Sequence, residues 1–309
     1  MAYYVFHIPS HTIPNSLTEI KESVYCFPSK EIDAFTDYGI KACLCLAIKA
    51  DTDSIVEKII RDFIIVQNIF GQNYDSIKWF SGVCLSSQTK IYKSIADIYY
   101  ENKSEVRYLM THFNYAEMPL LLLMPEPPMY SFIETFNRLH NITETDFLYK
   151  SLSYLAVVNP IMMITQKIFN NALFENTLQF QLFESIMKEY DTTPKVKTKP
   201  CLTCDYTKQK GLSQRIDDFF NLDEYKSLKS KTEIVASIKA IAKSRHIFSH
   251  KLEGKSHKAY YEEDLAPNLG SDSTFYLKDD IKYAHGTLTA IHTIKSVNTL
   301  ILIGKLFDK

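Results

Sequence analysis

The stretch "SKTEIVASIKAIAKSRHIFSH", residues 230–250, decides how the second half of the chain is read. Ser230 and Glu233 have the spacing of a capping box and Gly254 stands just past the far end, so the stretch predicts one long helix. Ile234, Ile238 and Ile241 recur at helical spacing and form its apolar stripe. A helix advances about 100° per residue, which brings Arg245, eleven positions on, to within about 20° of Ile234. The arginine is therefore expected on the core side, where a guanidinium is costly unless a strong acceptor meets it. The same helix end crowds Arg245, His246 and His250 into six positions. Helix C-termini favour cations, so a basic terminus accounts for part of this pattern.

An acceptor is available upstream. In "LQFQLFESIMKEY", residues 178–190, Phe180, Phe183 and Met187 share a helical face, and Glu184 is read on that face too. Paired with Arg245, Glu184 is either half of a buried salt bridge that fixes helix register or the group that orients an arginine toward phosphate. His250 lies about 140° from Arg245 on an ideal helix. Either the helix loosens near Ser249, or the two side chains flank a groove on different sides. A two-fold dimer would bring two such motifs together.

Working outward, residues from about 145 onward read as helical, interrupted by the insert "DTTPKVKTKPCLTCDYTKQKG". "SQRIDDFFNLDEYKSL" is a short helix and "LTAIHTIKSVNTLILIGKLF" a closing one. "MPEPPMY", residues 124–130, is the clearest break, because closely spaced prolines continue neither a helix nor a central strand. "SFIETFNRLHN" resumes helix, with Ser131 and Glu134 as another capping box. Before the break, "AYYVFHI", "IKACLCLAI" and "IKWFSGVCLSS" read as strands, whereas "DSIVEKIIRDFIIVQNIFG" and "KSIADIYYEN" read as helices. "IKACLCLAI" is apolar on both sides, which predicts a strand covered on both faces. The expected fold is α+β: a mixed α/β domain over 1–125, a linker and connecting helix over 126–144, and an all-helical bundle over 145–309.

Composition narrows the classes. The chain has 309 residues, enough for two cores, and its 46% apolar and 23% charged residues are those of a globular protein rather than a disordered one. The first residues lack the basic and apolar regions of a signal peptide, and "MPLLLLMP" is far short of the roughly 20 residues of a spanning helix, so a cytoplasmic protein without membrane contact is expected. Net charge is −1, but Lys188 to Lys258 holds 16 Lys/Arg against 9 Asp/Glu, which leaves −8 for the rest. That local basic excess is either a solvated lysine-rich surface or a polyanion-binding one.

Other constellations are weaker. The chain has six cysteines, and their spacing is not that of a secreted disulfide framework. Cys201 and Cys204 form a C-x2-C without a second pair, so they are weak zinc candidates and read first as ordinary cysteines. Neighbouring acids Asp217–Asp218 and Asp279–Asp280 do not face each other on a helix and make no shared site. His7, His11, His112 and His140 have no ligand spacing, and no phosphate loop or nucleophile elbow is present. No cofactor and no metal are expected.

With the motif, the acid on an earlier helix, the variable insert and the closing helix in place, "RHIFSH" resembles the Arg-x4–6-His signature of HEPN domains, over roughly residues 145–309. The resemblance implies a metal-independent endoribonuclease, a toxin or antiphage-defence effector, with Arg245 binding the scissile phosphate and His250 in proton transfer. His246 would be an auxiliary polar group and Glu184 would orient Arg245. Lys243, Lys251, Lys208 and Lys210 are the expected RNA-backbone contacts. The implied partners are RNA, a second copy of the chain through the helical domain, and an antitoxin or trigger protein. Two alternatives stay open. One is a non-catalytic HEPN-like dimerisation module in which Arg245–Glu184 is structural, and the other a regulator that binds nucleic acid through the basic insert without cutting it.

Overall fold

The computed structural model describes residues 2–9, 14, 16–30, 43–70, 85–86, 91–104, 131–158, 168–194, 210–228, 231–250 and 279–309. Within the helices, residues 168–176, 240, 243–250 and 279–292 are described by their backbone alone. Five strands form one sheet: β1 (Ala2–Pro9), β2 (Thr18–Lys21), β3 (Val24–Ser29), β4 (Cys43–Ala50) and β5 (Leu85–Ser86), in the order β2-β3-β4-β1-β5. The α-helices among the described residues are α1 (Asp53–Phe70), α2 (Ile95–Asn102), α3 (Phe132–His140), α4 (Phe147–Val158), α5 (Ile168–Tyr190), α6 (Leu212–Phe220), α7 (Lys231–His250) and α8 (Asp279–Asp308). The fold is thus α+β. Every strand pair is antiparallel, so the helices are not crossovers between parallel strands. No helix among the described residues is long and apolar enough to cross a membrane.

β4 is the centre of the sheet and is buried on both faces from Cys43 to Ile48, as its sequence predicts. It pairs with β1 in the register Ala2↔Ala50 and with β3 in the register Val24↔Ile48. On one face Val5, Phe27, Cys45 and Ala47 pack with Tyr92 and Ile98, and Phe27 meets Tyr99 edge-on at 5.1 Å, so α2 covers that side. α1 packs against β4, and α3 lies beside the edge strand β2, where Asn137 Nδ2 donates to the Ile20 carbonyl at 2.9 Å.

The β2–β3 hairpin is not legible as strands in the sequence. Its turn is Glu22–Ser23 and contains no glycine; Ser23 takes the left-handed conformation (φ 65) itself, and its N–H donates to the Glu19 carboxylate at 3.2 Å.

Contacts divide the chain into two compact units: Met1–Pro119 with Pro128–Ile164 and Ile301–Lys309, and Leu120–Pro127 with Thr165–Leu300. This differs from the boundaries at 125 and 145 read from the sequence; the proline break at 124–130 lies outside the described residues, whereas 131–145 is described. The reason is aromatic. Phe63 of α1 meets Phe132 and Phe136 of α3 edge-on at 5.3 and 6.2 Å, and Phe70 meets Phe132 at 5.6 Å. α4 also packs on α1, so both helices after the break belong with the strands. The end of α8 does too: Arg138 lies 4.5 Å over the Phe307 ring and donates to its carbonyl at 3.1 Å.

One carboxylate joins α1, α3 and α4. Asp62 is fully buried; Oδ2 accepts from Lys58 Nζ at 2.9 Å and His140 Nδ1 at 2.7 Å, and Oδ1 accepts from the Tyr149 hydroxyl at 2.6 Å. Lys58 also donates to the His140 carbonyl at 2.9 Å. Burial pushes the Asp62 carboxyl up, but the bonds from His140, Tyr149 and Lys58 and the Lys58 charge outweigh it and hold it below its usual range. Burial, and then the bond to Asp62, push the Tyr149 hydroxyl up. Asp62→Ala would leave the buried Tyr149 hydroxyl and the partly buried His140 and Lys58 without their shared acceptor and is expected to cost about 3–5 kcal/mol in urea unfolding. A loss below about 1 kcal/mol would mark the cluster as no more than a surface ion pair.

A second buried polar pair gives a pH signature. His7 is 3% exposed, and its Nδ1 lies 2.7 Å from the buried Ser29 hydroxyl. Burial, with Lys30 nearby, lowers the imidazole to about 4. The unfolded chain takes up that proton first, as pH falls through about 6.5. Between there and about 4 the unfolded state binds more protons, so stability drops with falling pH, by on the order of 3 kcal/mol in total. Urea midpoints at pH 7 and pH 4.5 should therefore differ more in the wild type than in His7→Asn. Equal differences would remove His7 as the source.

Candidate active site

The helix that carries the motif forms as its sequence directs. α7 runs unbroken from Lys231 to His250, with Ile234, Ser237, Ile238 and Ile241 buried along one side. α5 and α6 both pack against it, and Lys239 of α7 reaches Asp217 of α6 at 2.6 Å. Because the backbone stays α-helical, position 245 lies within about 20° of Ile234. Position 250 lies about 140° from position 245, so the helix does not loosen near Ser249 to bring the two onto one face. Lys243, Arg245, His246 and His250 are placed by this backbone, and their side chains lie outside the described part.

Glu184 sits on α5, where Gln179, Phe180, Phe183, Ile186 and Met187 are buried. Phe183 anchors that face: it stacks on Phe220 at 5.9 Å and meets Phe219 edge-on at 5.8 Å. Glu184 follows Phe180 by one turn but lies about 40° further round, and it is half-buried. The acid thus stands at the rim of the apolar face rather than within it, which refines the placement read from the sequence. The arrangement brings the helix of Glu184 against the helix of Arg245 and His250.

Of the lysines expected to contact RNA, Lys210 is described. Its Nζ lies 2.6 Å from Asp218 and its side chain is 13% exposed, so it is held at the start of α6 rather than presented to solvent. Asp217 and Asp218 thus engage different lysines, as befits adjacent helical residues that do not face each other. Lys208, Lys251, Cys201 and Cys204 lie outside the described residues. Among the described residues no group of three or more His, Cys, Asp or Glu is placed to hold a metal ion. Cys26, Cys43 and Cys45 are free and buried; burial pushes the Cys26 and Cys45 thiols up, away from the reactive thiolate.

The sequence reading missed the buried polar groups of Asp62, His7 and Gln179. The signal was present. Asp62 follows Ile59 by three residues and precedes Val66 by four, so it lies on the apolar stripe of α1 just as Arg245 continues that of α7. His140, which has no ligand spacing, is the partner of that carboxylate. Compared with family models, curated proteins and solved structures, the chain matches none of them.

Proposed function

We propose that the chain is a metal-independent endoribonuclease of HEPN type, acting as a toxin or antiphage-defence effector, whose second unit is a HEPN-like helical bundle. The observation that carries the reading is the unbroken helix α7, which places Arg245 in line with a buried stripe, ends on His250 and packs against the helix of Glu184. RNA supplies its own nucleophile. The 2′-oxygen forms a bond to phosphorus, a base removes its proton, the bond from phosphorus to the 5′-oxygen breaks, and an acid protonates the leaving oxygen. Histidine titrates near neutrality and fits the proton steps. Arginine stays charged and matches a phosphate with two parallel hydrogen bonds. The rim position of Glu184 is compatible with an acid that orients an arginine open to substrate.

The wide angle between positions 245 and 250 favours a site completed by a second copy of the chain, and equally allows a module that dimerises without cutting. Total RNA and tRNA incubated in EDTA separate the two. The catalytic reading expects cleavage by the wild type and a loss of about 100-fold or more in Arg245→Ala and in His250→Ala, with melting temperatures nearly unchanged. The scaffold reading expects intact RNA throughout and a clear loss of stability in Arg245→Ala, below the roughly 3–5 kcal/mol of a fully buried pair because Glu184 is half-buried.

A further inference from the structure

The core of the helical unit contains two amides that its packing does not need. Asn298 of α8 and Gln179 of α5 are both fully buried. Asn298 Nδ2 donates to the Gln179 main-chain carbonyl at 2.9 Å and to its side-chain Oε1 at 3.0 Å. Asn298 Oδ1 is buried and accepts no hydrogen bond among the described residues. The neighbouring Thr299 satisfies its hydroxyl within its own helix, on the Lys295 carbonyl at 2.9 Å, whereas Asn298 reaches across to another helix. Two leucines at 298 and 179 would bury as much surface without this pair of amides, so packing alone does not explain them.

We infer that Asn298 and Gln179 are a positioning pair that locks α5 in register and thereby holds Glu184 in place beside the motif helix. Apolar burial such as that of Phe180 and Ile186 on α5 and of Ile294 and Val297 on α8 is non-directional and survives a small slide or roll of a helix. The two amide bonds do not survive it, since any slip leaves their donors and acceptors unpaired in the core. Glu184 follows Gln179 by five residues on one continuous helix, about 7.5 Å along the axis and about 140° around it. A roll at Gln179 is therefore transmitted directly to Glu184.

The inference rests on the ribonuclease reading, and the test keeps the two apart. Asn298→Leu, and the double variant Gln179→Leu with Asn298→Leu, are compared with wild type for melting temperature and for kcat and KM on RNA in EDTA. The double variant removes both sides of the Asn298–Gln179 bond, so neither amide is left facing an apolar partner as in the single variant, and its melting temperature reports whether the fold is kept. The expected result is a double variant that melts within a few degrees of wild type with KM within twofold, yet with kcat at least tenfold lower. A kcat that returns to the wild-type value along with stability overturns the inference alone and makes the pair ordinary core. A wild type that leaves RNA intact overturns the ribonuclease reading, and the inference falls with it.

Discussion

A strand buried on both faces dictates what must surround it. β4 has no polar side for water from Cys43 to Ile48, so the sheet requires a covering layer above and below. α2 supplies one through Ile98 and Tyr99, together with Tyr92 just before it. α1 lies against β4 on its own account, carries Phe63 and Phe70, which gather α3, and packs with α4 as well. The buried carboxylate of Asp62 then fixes how those three helices meet, because its acceptor positions are filled from α1, α3 and α4. Directional polar bonds choose one arrangement from the many that apolar burial alone would tolerate.

The helical unit is built on the same division of labour. Phe183, Phe219, Phe220 and Tyr225 form an aromatic core that brings α5 and α6 together, and the isoleucine stripe of α7 closes on it. Polar contacts then set register: Lys239 with Asp217 at the surface, and Asn298 with Gln179 inside. The exposed pair is worth little by itself, and the buried amides are the stronger constraint on geometry. In the proposed enzyme that constraint matters more than total stability, since a small misplacement of a catalytic group costs rate steeply.

Much of this was legible in the sequence where one physical signal acted alone. The helical period of α1, α5 and α7, the serine cap of α3, and the two-sided apolar run of β4 all appear as their residues predict. What was not legible depended on distant partners. The β2–β3 hairpin turns at a serine that adopts a glycine-like backbone, so no turn residue announces it. The division into units follows contacts of Phe132 and Phe136 with a helix about 70 residues earlier, which local proline content does not encode. Glu184 looked inward on an idealised wheel, yet stands at the rim because the buried arc of α5 is centred nearer Gln179 and Phe183. Asp62 was readable by the angular reasoning applied to Arg245, but its partners on α3 and α4 were not.

The chemistry proposed for Arg245 and His250 makes the RNA itself the source of the nucleophile, and the products record that directly. The decisive measurement is the end groups left on a cleaved oligonucleotide, together with the fate of the same oligonucleotide bearing a 2′-deoxy sugar at the cut position. Attack by the 2′-oxygen predicts a 2′,3′-cyclic phosphate or its opened form, a free 5′-hydroxyl, and no cleavage of the deoxy substrate. A 3′-hydroxyl facing a 5′-phosphate, with the deoxy substrate still cut, would contradict it.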